Sequence, residues 1–434
     1  MPVHLADTII VAPPRRRRRR VVRVLRALGI VAVVVLLISS VAGAAVYEDP
    51  ALLSPVGGAL LGTQTGSVPW NGADPINILV AGIDQRTNEQ TRTDSMIVMH
   101  VDPGASTVQM LSVPRDLWVA IPRYGYAKIN AGYALGQPYG QGPQFATFAV
   151  ESALHIPINY YAILRFNGFK NVVDAMGGIN VCVPRELYDT QYPDDTGFGM
   201  HTIDIKAGCQ TMNGSTALVY ARERHANTQQ DLGRIEQQQA LLSGVEKSLL
   251  SPAMLPHVPT ALTAMNEALI SNLPHGTVPE LGVLLGRARG NRTQHSYLNV
   301  DGGYVTSGWS DDGQSILRPN STKIASLVST VFPSTLLHDE NAVVQVLNGQ
   351  QTSGLAADYT TVLAGIGFNT QAPANSDVTG LQHTIVTTNL DRPGAAYTVR
   401  TLTQMLQAVP ALAHLGSAGP QVTVTLGADA VWGS

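Results

Sequence analysis

The sequence predicts a layered α-β-α domain with a central mixed sheet, preceded by one transmembrane helix and followed by a second, small α/β domain. Three observations lead there. Segments at 76–84, 94–102 and 108–116 are apolar on both strand faces, as in a sheet covered by helices on either side. Helical patterns at 143–155, 166–176 and 231–250 interleave with further strand-like runs at 158–165 and 179–183. Near the start lies an uncharged run of 21 residues, ALGIVAVVVLLISSVAGAAVY (27–47), about the length that crosses a bilayer as one helix.

The elements follow in order. Residues 1–26 hold Arg15, Arg16, Arg17, Arg18, Arg19, Arg20, Arg23 and Arg26 against one acid, Asp7. By the positive-inside rule this tail stays in the cytoplasm, and the chain after 47 lies outside at the cell membrane. Ala42-Gly43-Ala44 also has the form of a signal-peptidase site, so a cleaved leader is the rival to an uncleaved anchor. The whole chain carries a formal −3, so the part beyond the tail is acidic, about −10. An acidic body excludes a broad nucleic-acid surface. Residues 48–73, rich in Gly, Pro, Ser and Thr, read as a linker.

The main domain spans 74–335, with its core in 74–250. INILVAGID is a buried strand. DSMIVMHVD and VQMLSVPRD, joined by PGAST, form a hairpin. Beyond 250 the prolines 252, 256, 259 and 274 break up short helical runs, and NVDGGYVTSGWSDDGQS reads as loop and turn. A second domain occupies 341–434: strand AVVQVLNG, helix SGLAADYTTVLAGIGF, strand HTIVTTN, helix AAYTVRTLTQMLQAV and strand QVTVTLG. Cys182 and Cys209 are the two cysteines; outside the cytoplasm they read as a disulfide, the alternative being two buried thiols.

Chemistry concentrates at strand ends and one helix start. Asp84 and Arg86 lie in GIDQR, Asp94 opens DSMIV, and Arg115 and Asp116 close VPRD. Two nearby carboxylates need a cation or a proton between them, and Asp84 with Asp94 suits Mg²⁺ (or Mn²⁺), leaving positions for phosphate oxygens. The same aspartates could equally cap turns. In YARERHANTQQDLGRIEQQQ, Arg222, Arg224 and Arg234 surround Asp231, and Asp231, Arg234 and Gln238 share one helical face. Guanidinium forks at a helix start fit phosphate; a solvated salt-bridge network is the plainer reading. No GxxxxGK[ST], HExxH or GxSxG pattern occurs, so a phosphate site here rests on arginines and metal.

In order along the chain, NILVAGIDQR, TRTDSMIVMHVD, MLSVPRDLWV, KINAGYALG, NYYAILRFNGFKNVVDAMGGINV, NGSTALVYARERH and DLGRIEQQQ resemble the LytR–CpsA–Psr family of membrane-anchored phosphotransferases. Residues 341–434 resemble the small C-terminal domain that accompanies it in actinobacteria. The resemblance implies transfer of a glycan, arabinogalactan among the candidates, from a polyprenyl-pyrophosphate carrier to the muramic acid 6-hydroxyl of peptidoglycan. A phosphodiester forms and polyprenyl phosphate leaves. It further implies that Asp84 and Asp94 hold Mg²⁺. Arg115, Arg222, Arg224, Arg234 and Gln238, with Arg86 more weakly, would hold pyrophosphate, and Asp231 would organise the cluster or act as base. Gln237 stands where the family often has Arg. A lipid-pyrophosphate pyrophosphatase and a non-catalytic envelope-binding or regulatory protein remain as alternatives.

Overall fold

The computed structural model describes residues 69–84, 91–193, 199–222, 251–274, 293–333 and 335–431, with isolated residues between 240 and 284. The chain runs β1 (Ile76–Asp84), β2 (Arg92–Asp102), β3 (Thr107–Val113), β4 (Trp118–Ile121), β5 (Gly125–Lys128), α1 (Ala131–Gly136), α2 (Gly142–Leu154), β6 (Tyr160–Arg165) and α3 (Phe166–Ala175). Then come β7 (Ile179–Val183), β8 (Leu187–Pro193), β9 (Met200–Ile205), β10 (Gly208–Met212), α4 (Gly214–Arg222), α5 (Val258–Ala268), β11 (Leu269–Ser271), β12 (Thr293–Tyr297), β13 (Val305–Trp309) and β14 (Ser315–Pro319). After α6 (Ser321–Val331) and α7 (Thr335–Glu340) follow β15 (Val343–Asn348), α8 (Leu355–Ile366), β16 (Asn369–Thr370), β17 (Ala374–Asn375), β18 (Ile385–Asn389), α9 (Ala396–Met405), β19 (Val409–Ala413) and β20 (Val422–Leu426).

The central sheet has six strands in the order β11-β6-β1-β2-β3-β12. β1 pairs parallel with β6 and antiparallel with β2, and β12 joins β3 in parallel, so the sheet is mixed. Alternation sorts its side chains into two cores. Leu79, Ala81, Ile83, Met96, Val98, Leu111 and Val113 pack on one face with residues of α1, α2 and α6. Ile76, Ile78, Ile97, Met99, Val101, Val108 and Met110 pack on the other with Trp70, Tyr160 and Leu273. Continuous apolar strands are what a sheet buried on both faces requires.

Several boundaries differ from the sequence reading. β3 stops at Val113, because Pro114 has no N–H to continue a ladder, so Arg115 and Asp116 lie in a turn. The stretch around Trp309 is not all loop: β13 and β14 form an antiparallel hairpin there, and β11 and β12 supply both edges of the central sheet. These strands are too short to show strand periodicity, and β12, TQHSY, is polar as well. β19, which starts at Val409, the last residue of a stretch read as helix, is the outermost strand of the second sheet. Residues 1–68, with the transmembrane helix expected at 27–47, lie outside the described residues; among those described, no helix is long and apolar enough to cross a membrane.

Cys182 and Cys209 face each other across the β7–β10 ladder and are disulfide-bonded. The closed loop separates them by 27 positions, which in the chain-entropy account stabilises the fold by about 3 kcal/mol.

The second domain is built on the order β16-β15-β20-β18-β19, with β17 also on β15. Glu340 accepts hydrogen bonds from the backbone N–H groups of Tyr397 and Thr398 at 2.7 Å each, so the end of α7 caps α9. Its core continues into the first domain: Phe145 and Phe148 of α2 pack with Tyr359, Leu363 and Val424, and the Phe148 and Tyr359 rings lie 5.3 Å apart. Polar contacts also cross this junction. Arg123 Nε donates to Asp358 Oδ2 at 2.5 Å, Asn159 Nδ2 to Gln404 Oε1 at 2.8 Å and Arg400 Nε to Asp74 Oδ2 at 2.7 Å.

The junction encloses a cavity of about 30 Å³ lined by Glu151, Tyr161, Asn272, Tyr359 and Gln407. Burial pushes the Glu151 carboxyl well above the usual carboxylate range, against the bond it accepts from Ile158 N–H at 2.9 Å. The folded chain therefore keeps a proton that the unfolded chain releases above about pH 4.5. The stability linked to this proton is fully present below that pH and declines as pH rises toward the folded-state value.

Two outcomes follow. Glu151→Gln retains the acceptor for Ile158, removes this decline, and becomes the more stable protein at pH 8; urea midpoints at pH 5 and pH 8 check it. Cys182→Ser with Cys209→Ser lowers the unfolding free energy by about 3 kcal/mol, and an equal denaturant midpoint for the two proteins would contradict the loop-closure account.

Candidate functional site

The sheet's strand directions collect several chain ends at one edge. β1, β3 and β6 finish there, and β2 starts there. Asp84 closes β1 opposite Arg92, and Arg165 closes β6 beside Ile83. β1 and β2 shift register between Gly82 and Ile83: Gly82 pairs with Ser95 and Ile83 with Thr93, which leaves Asp94 unpaired on a β-bulge. A bulge bends its strand and re-aims the extra side chain. Asp94 accordingly meets Arg115 rather than sitting in the ladder.

Arg115 Nη1 donates to Asp94 Oδ1 at 2.5 Å, and Arg115 Nε lies 3.6 Å from Asp116 Oδ2. Asp116 is held in turn by Lys128 Nζ at 2.9 Å. The Arg115 and Asp94 side chains are 41% and 31% exposed, so water screens their attraction and the pair contributes about 1 kcal/mol or less. It opens cheaply, freeing a guanidinium for an anion and a carboxylate for a cation. The backbone around it is more firmly tied: Asn130 N–H donates to the Arg115 carbonyl at 3.3 Å and Leu317 N–H to the Asp116 carbonyl at 2.9 Å. Asn130 is 5% exposed, and its Oδ1 has no hydrogen-bond partner.

Arg165 received no role from the sequence, although a cation at the carboxyl end of a strand in an α/β sheet was the signal to notice. Its Nη1 donates to the Glu267 carbonyl at 2.6 Å, near the end of α5. Its charge also reaches Tyr133 of α1, where it opposes the upward push of burial on that phenol. A glycine fixes this geometry. A Cβ on Gly168 would stand 2.4 Å from Ala268 Cα, so α3 and α5 approach closely enough to bring Arg165 to Glu267 only with glycine there.

Of the other predicted residues, Arg222 is the last residue of α4. Arg86, Arg224, Asp231, Arg234 and Gln238 lie outside the described residues, as does Gln237. The structure thus brings Asp94 and Arg115 into contact and puts the backbone of Asp84 and the side chain of Arg165 at the same sheet edge. Among the described residues no three His, Cys, Asp or Glu side chains group as a metal site. Mg²⁺ takes one or two carboxylates and keeps positions for phosphate oxygens; of the two expected aspartates, the structure puts Asp94 on the bulge of β2 and the backbone of Asp84 at the end of β1.

The LytR_cpsA_psr family model matches residues 60–329, more than half of the chain. The chain belongs to the LytR–CpsA–Psr family. Residues 341–429 match a second model, described as LytR cell envelope-related transcriptional attenuator. Two similar curated relatives are polyisoprenyl-teichoic acid–peptidoglycan teichoic acid transferases TagU. That of Bacillus cereus is 31% identical over 48% of this chain and 64% of its own length. That of Bacillus subtilis is 34% identical over 41% of this chain and 53% of its own. The chain therefore spans between half and two thirds of these relatives. The regulatory protein MsrR of Staphylococcus aureus is 29% identical over 58% of this chain and 72% of its own length. Among solved structures, Bacillus subtilis TagV is 26% identical, covering 60% of this chain and 98% of its own, with a TM-score of 0.43.

Asp94→Asn and Arg115→Ala each leave the unfolding free energy within about 1 kcal/mol of the parent. Gly168→Val costs about 2 kcal/mol or more through overpacking against Ala268. Urea melts of the three variants check the contrast.

Proposed function

We propose that this chain is a phosphotransferase that moves a glycopolymer from a polyprenyl-pyrophosphate carrier onto peptidoglycan, with the site at the sheet edge that carries Asp94 and Arg115. The observation that supports it is the convergence there of Arg115, Arg165 and the strand end at Asp84, around an exposed, readily opened Asp94–Arg115 pair. The names of the TagU relatives, which describe transfer of a polyprenyl-linked teichoic acid to peptidoglycan, agree with this reading.

Each residue has a task in it. Arg115, released from Asp94, and Arg165 bind pyrophosphate oxygens and stabilise the negative charge that spreads over them as the bond breaks. Arg222, Arg224, Arg234 and Gln238, with Arg86 more weakly, are the further pyrophosphate ligands in this reading, on the family resemblance of their motifs. Asp94 and Asp84 would hold Mg²⁺, or Mn²⁺ in its place, and the ion would supply charge neutralisation for the phosphates. The acceptor hydroxyl oxygen bonds to the phosphorus that carries the glycan. The bond from that phosphorus to the bridging oxygen breaks, and polyprenyl phosphate departs with its electron pair. Asp231 takes the hydroxyl proton or orients the arginines. A transmembrane helix at 27–47 would keep this site at the outer surface of the cell membrane, where the lipid carrier is. The transferred glycan is a cell-wall polymer, with arabinogalactan as the candidate for an actinobacterial chain.

The test is turnover. The purified protein, given a glycan on a short polyprenyl pyrophosphate, releases polyprenyl phosphate when Mg²⁺ is present, and with a peptidoglycan acceptor yields the phosphodiester. Arg115→Ala and Arg165→Ala each reduce turnover by roughly 10²-fold. Undiminished turnover in both would contradict the site. Release without an acceptor product would make the chain a pyrophosphatase. Tight lipid binding without release would make it a non-catalytic envelope protein.

A further inference from the structure

Arg115 is held from two sides, and the reaction described above calls on only one of them. Its Nη1 meets Asp94, and its Nε lies 3.6 Å from Oδ2 of Asp116. Asp116 in turn has its other oxygen, Oδ1, 2.9 Å from Lys128 Nζ. A carboxylate with one cation on each oxygen is oriented by both. Lys128 is the most sheltered member of the row Asp94, Arg115, Asp116, Lys128, with 18% of its side chain exposed against 31% to 41% for the others.

The backbone under this row is tied down. All four carbonyls from Pro114 to Leu117 accept hydrogen bonds. Leu117 N–H donates to Pro114 at 3.1 Å, closing a turn in which Arg115 and Asp116 are the central residues. Asn130 N–H donates to Arg115 at 3.3 Å, Leu317 N–H to Asp116 at 2.9 Å and Ile129 N–H to Leu117 at 2.8 Å. The Leu117 side chain is 1% exposed and belongs to the central core. Lys128 closes β5, where it pairs with Trp118 of β4. The turn is thus fixed by the strand of β14 and by the residues that lead into α1, and the parts left to move are side chains.

The two ion pairs of Arg115 have different parts in the reaction. Asp94 must let go for Nη1 to reach a phosphate. A guanidinium freed there with nothing at Nε would regain the rotamer freedom of a long side chain, and that freedom would be lost again on binding. We propose that Asp116 is a positioning residue for the phosphotransfer: steadied by Lys128, it holds the Nε side of Arg115 in place while Nη1 passes from Asp94 to a pyrophosphate oxygen. Arg115 then pivots about Nε, and its planar fork stays aligned for phosphate. Lys128 also offsets the negative charge of Asp116, which would otherwise repel the incoming anion. This inference rests on the proposed phosphotransfer for the identity of that anion, but its binding test stands apart from turnover.

The sign of one effect separates positioning from charge alone. Asp116→Asn removes a negative charge beside an anion site, so on charge alone pyrophosphate would bind more tightly. Positioning predicts weaker binding. The probe is geranylgeranyl pyrophosphate with Mg²⁺, titrated calorimetrically into the full chain, Asp116→Asn, Asp116→Glu, Arg115→Ala and the double variant of Arg115→Ala with Asp116→Asn. Turnover of the glycosylated short-chain donor is measured on the same proteins, and urea melts confirm that each is folded. The expected result is that Asp116→Asn weakens binding and lowers kcat/KM, each about tenfold. Asp116→Glu, which keeps the carboxylate, recovers most of both. In the Arg115→Ala background Asp116→Asn lowers neither, because no guanidinium is left to position. Binding by Asp116→Asn as tight as by the parent, or tighter, overturns the proposal. So does an equal loss in the Arg115→Ala background, or a loss that Asp116→Glu repeats in full. A parent that binds no geranylgeranyl pyrophosphate overturns it together with the phosphotransfer reading. Binding that depends on Asp116 only where Arg115 is present, in a protein that turns over no donor, upholds the positioning role and refutes the phosphotransfer.

Discussion

Strand β1 is paired along both of its edges and buried on both of its faces, and the rest of the main domain is arranged to satisfy it. Its backbone groups pair with β6 on one side and β2 on the other, because an unpaired amide in that position has no water to turn to. Its side chains divide into two cores, with Leu79, Ala81 and Ile83 on one face and Ile76 and Ile78 on the other. Parallel pairing with β6 and antiparallel pairing with β2 force the ends of β1 and β6 and the start of β2 to one edge. The site is a consequence of this topology. The bulge at Asp94 breaks the ladder just where the paired strands run out, and a carboxylate that a regular register would have aligned is turned toward Arg115 instead.

The second domain is tied to the first by shared core. Helix α2 contributes Ala146, Ala149 and Val150 to the central-sheet core and Phe145 and Phe148 to that of the C-terminal domain. A helix apolar around most of its circumference must be covered on most sides, and the C-terminal domain supplies that cover. The buried Glu151 at this junction, neutral and bonded to Ile158 N–H, marks where the two cores meet. This explains why the boundary near 341 is clear in the sequence yet does not separate two independently packed bodies in the structure.

Much of the fold was legible because its signals are local. The apolar runs of β1, β2 and β6, the helix of GPQFATFAVESAL and the Gly177-Gly178 turn before β7 all declare themselves in a few residues. Edge strands did not: β11 and β12 are short, and their pairing partners, β6 and β3, lie far away in the chain. The same division holds at the site. Asp84, Asp94, Arg115 and Arg222 stood out as charges at element ends, and the structure puts Asp94 against Arg115. The bulge that achieves this could not be read, because register is a relation between two strands. Arg165 was missed for a similar reason: YYAILRFNGF looks like a strand and helix in series, and its pairing with β1 brings the arginine to the edge where Asp84 ends.

The central claim is that this sheet edge holds a metal-bound pyrophosphate through Arg115 and Asp94. Crystals grown with Mn²⁺ and geranylgeranyl pyrophosphate test it directly. The account predicts an anomalous manganese peak within coordinating distance of Asp94, pyrophosphate oxygens on Arg115 and Arg165, and the Asp94–Arg115 pair opened. Pyrophosphate bound elsewhere, or at this edge with that pair intact and no manganese beside Asp94, would contradict it.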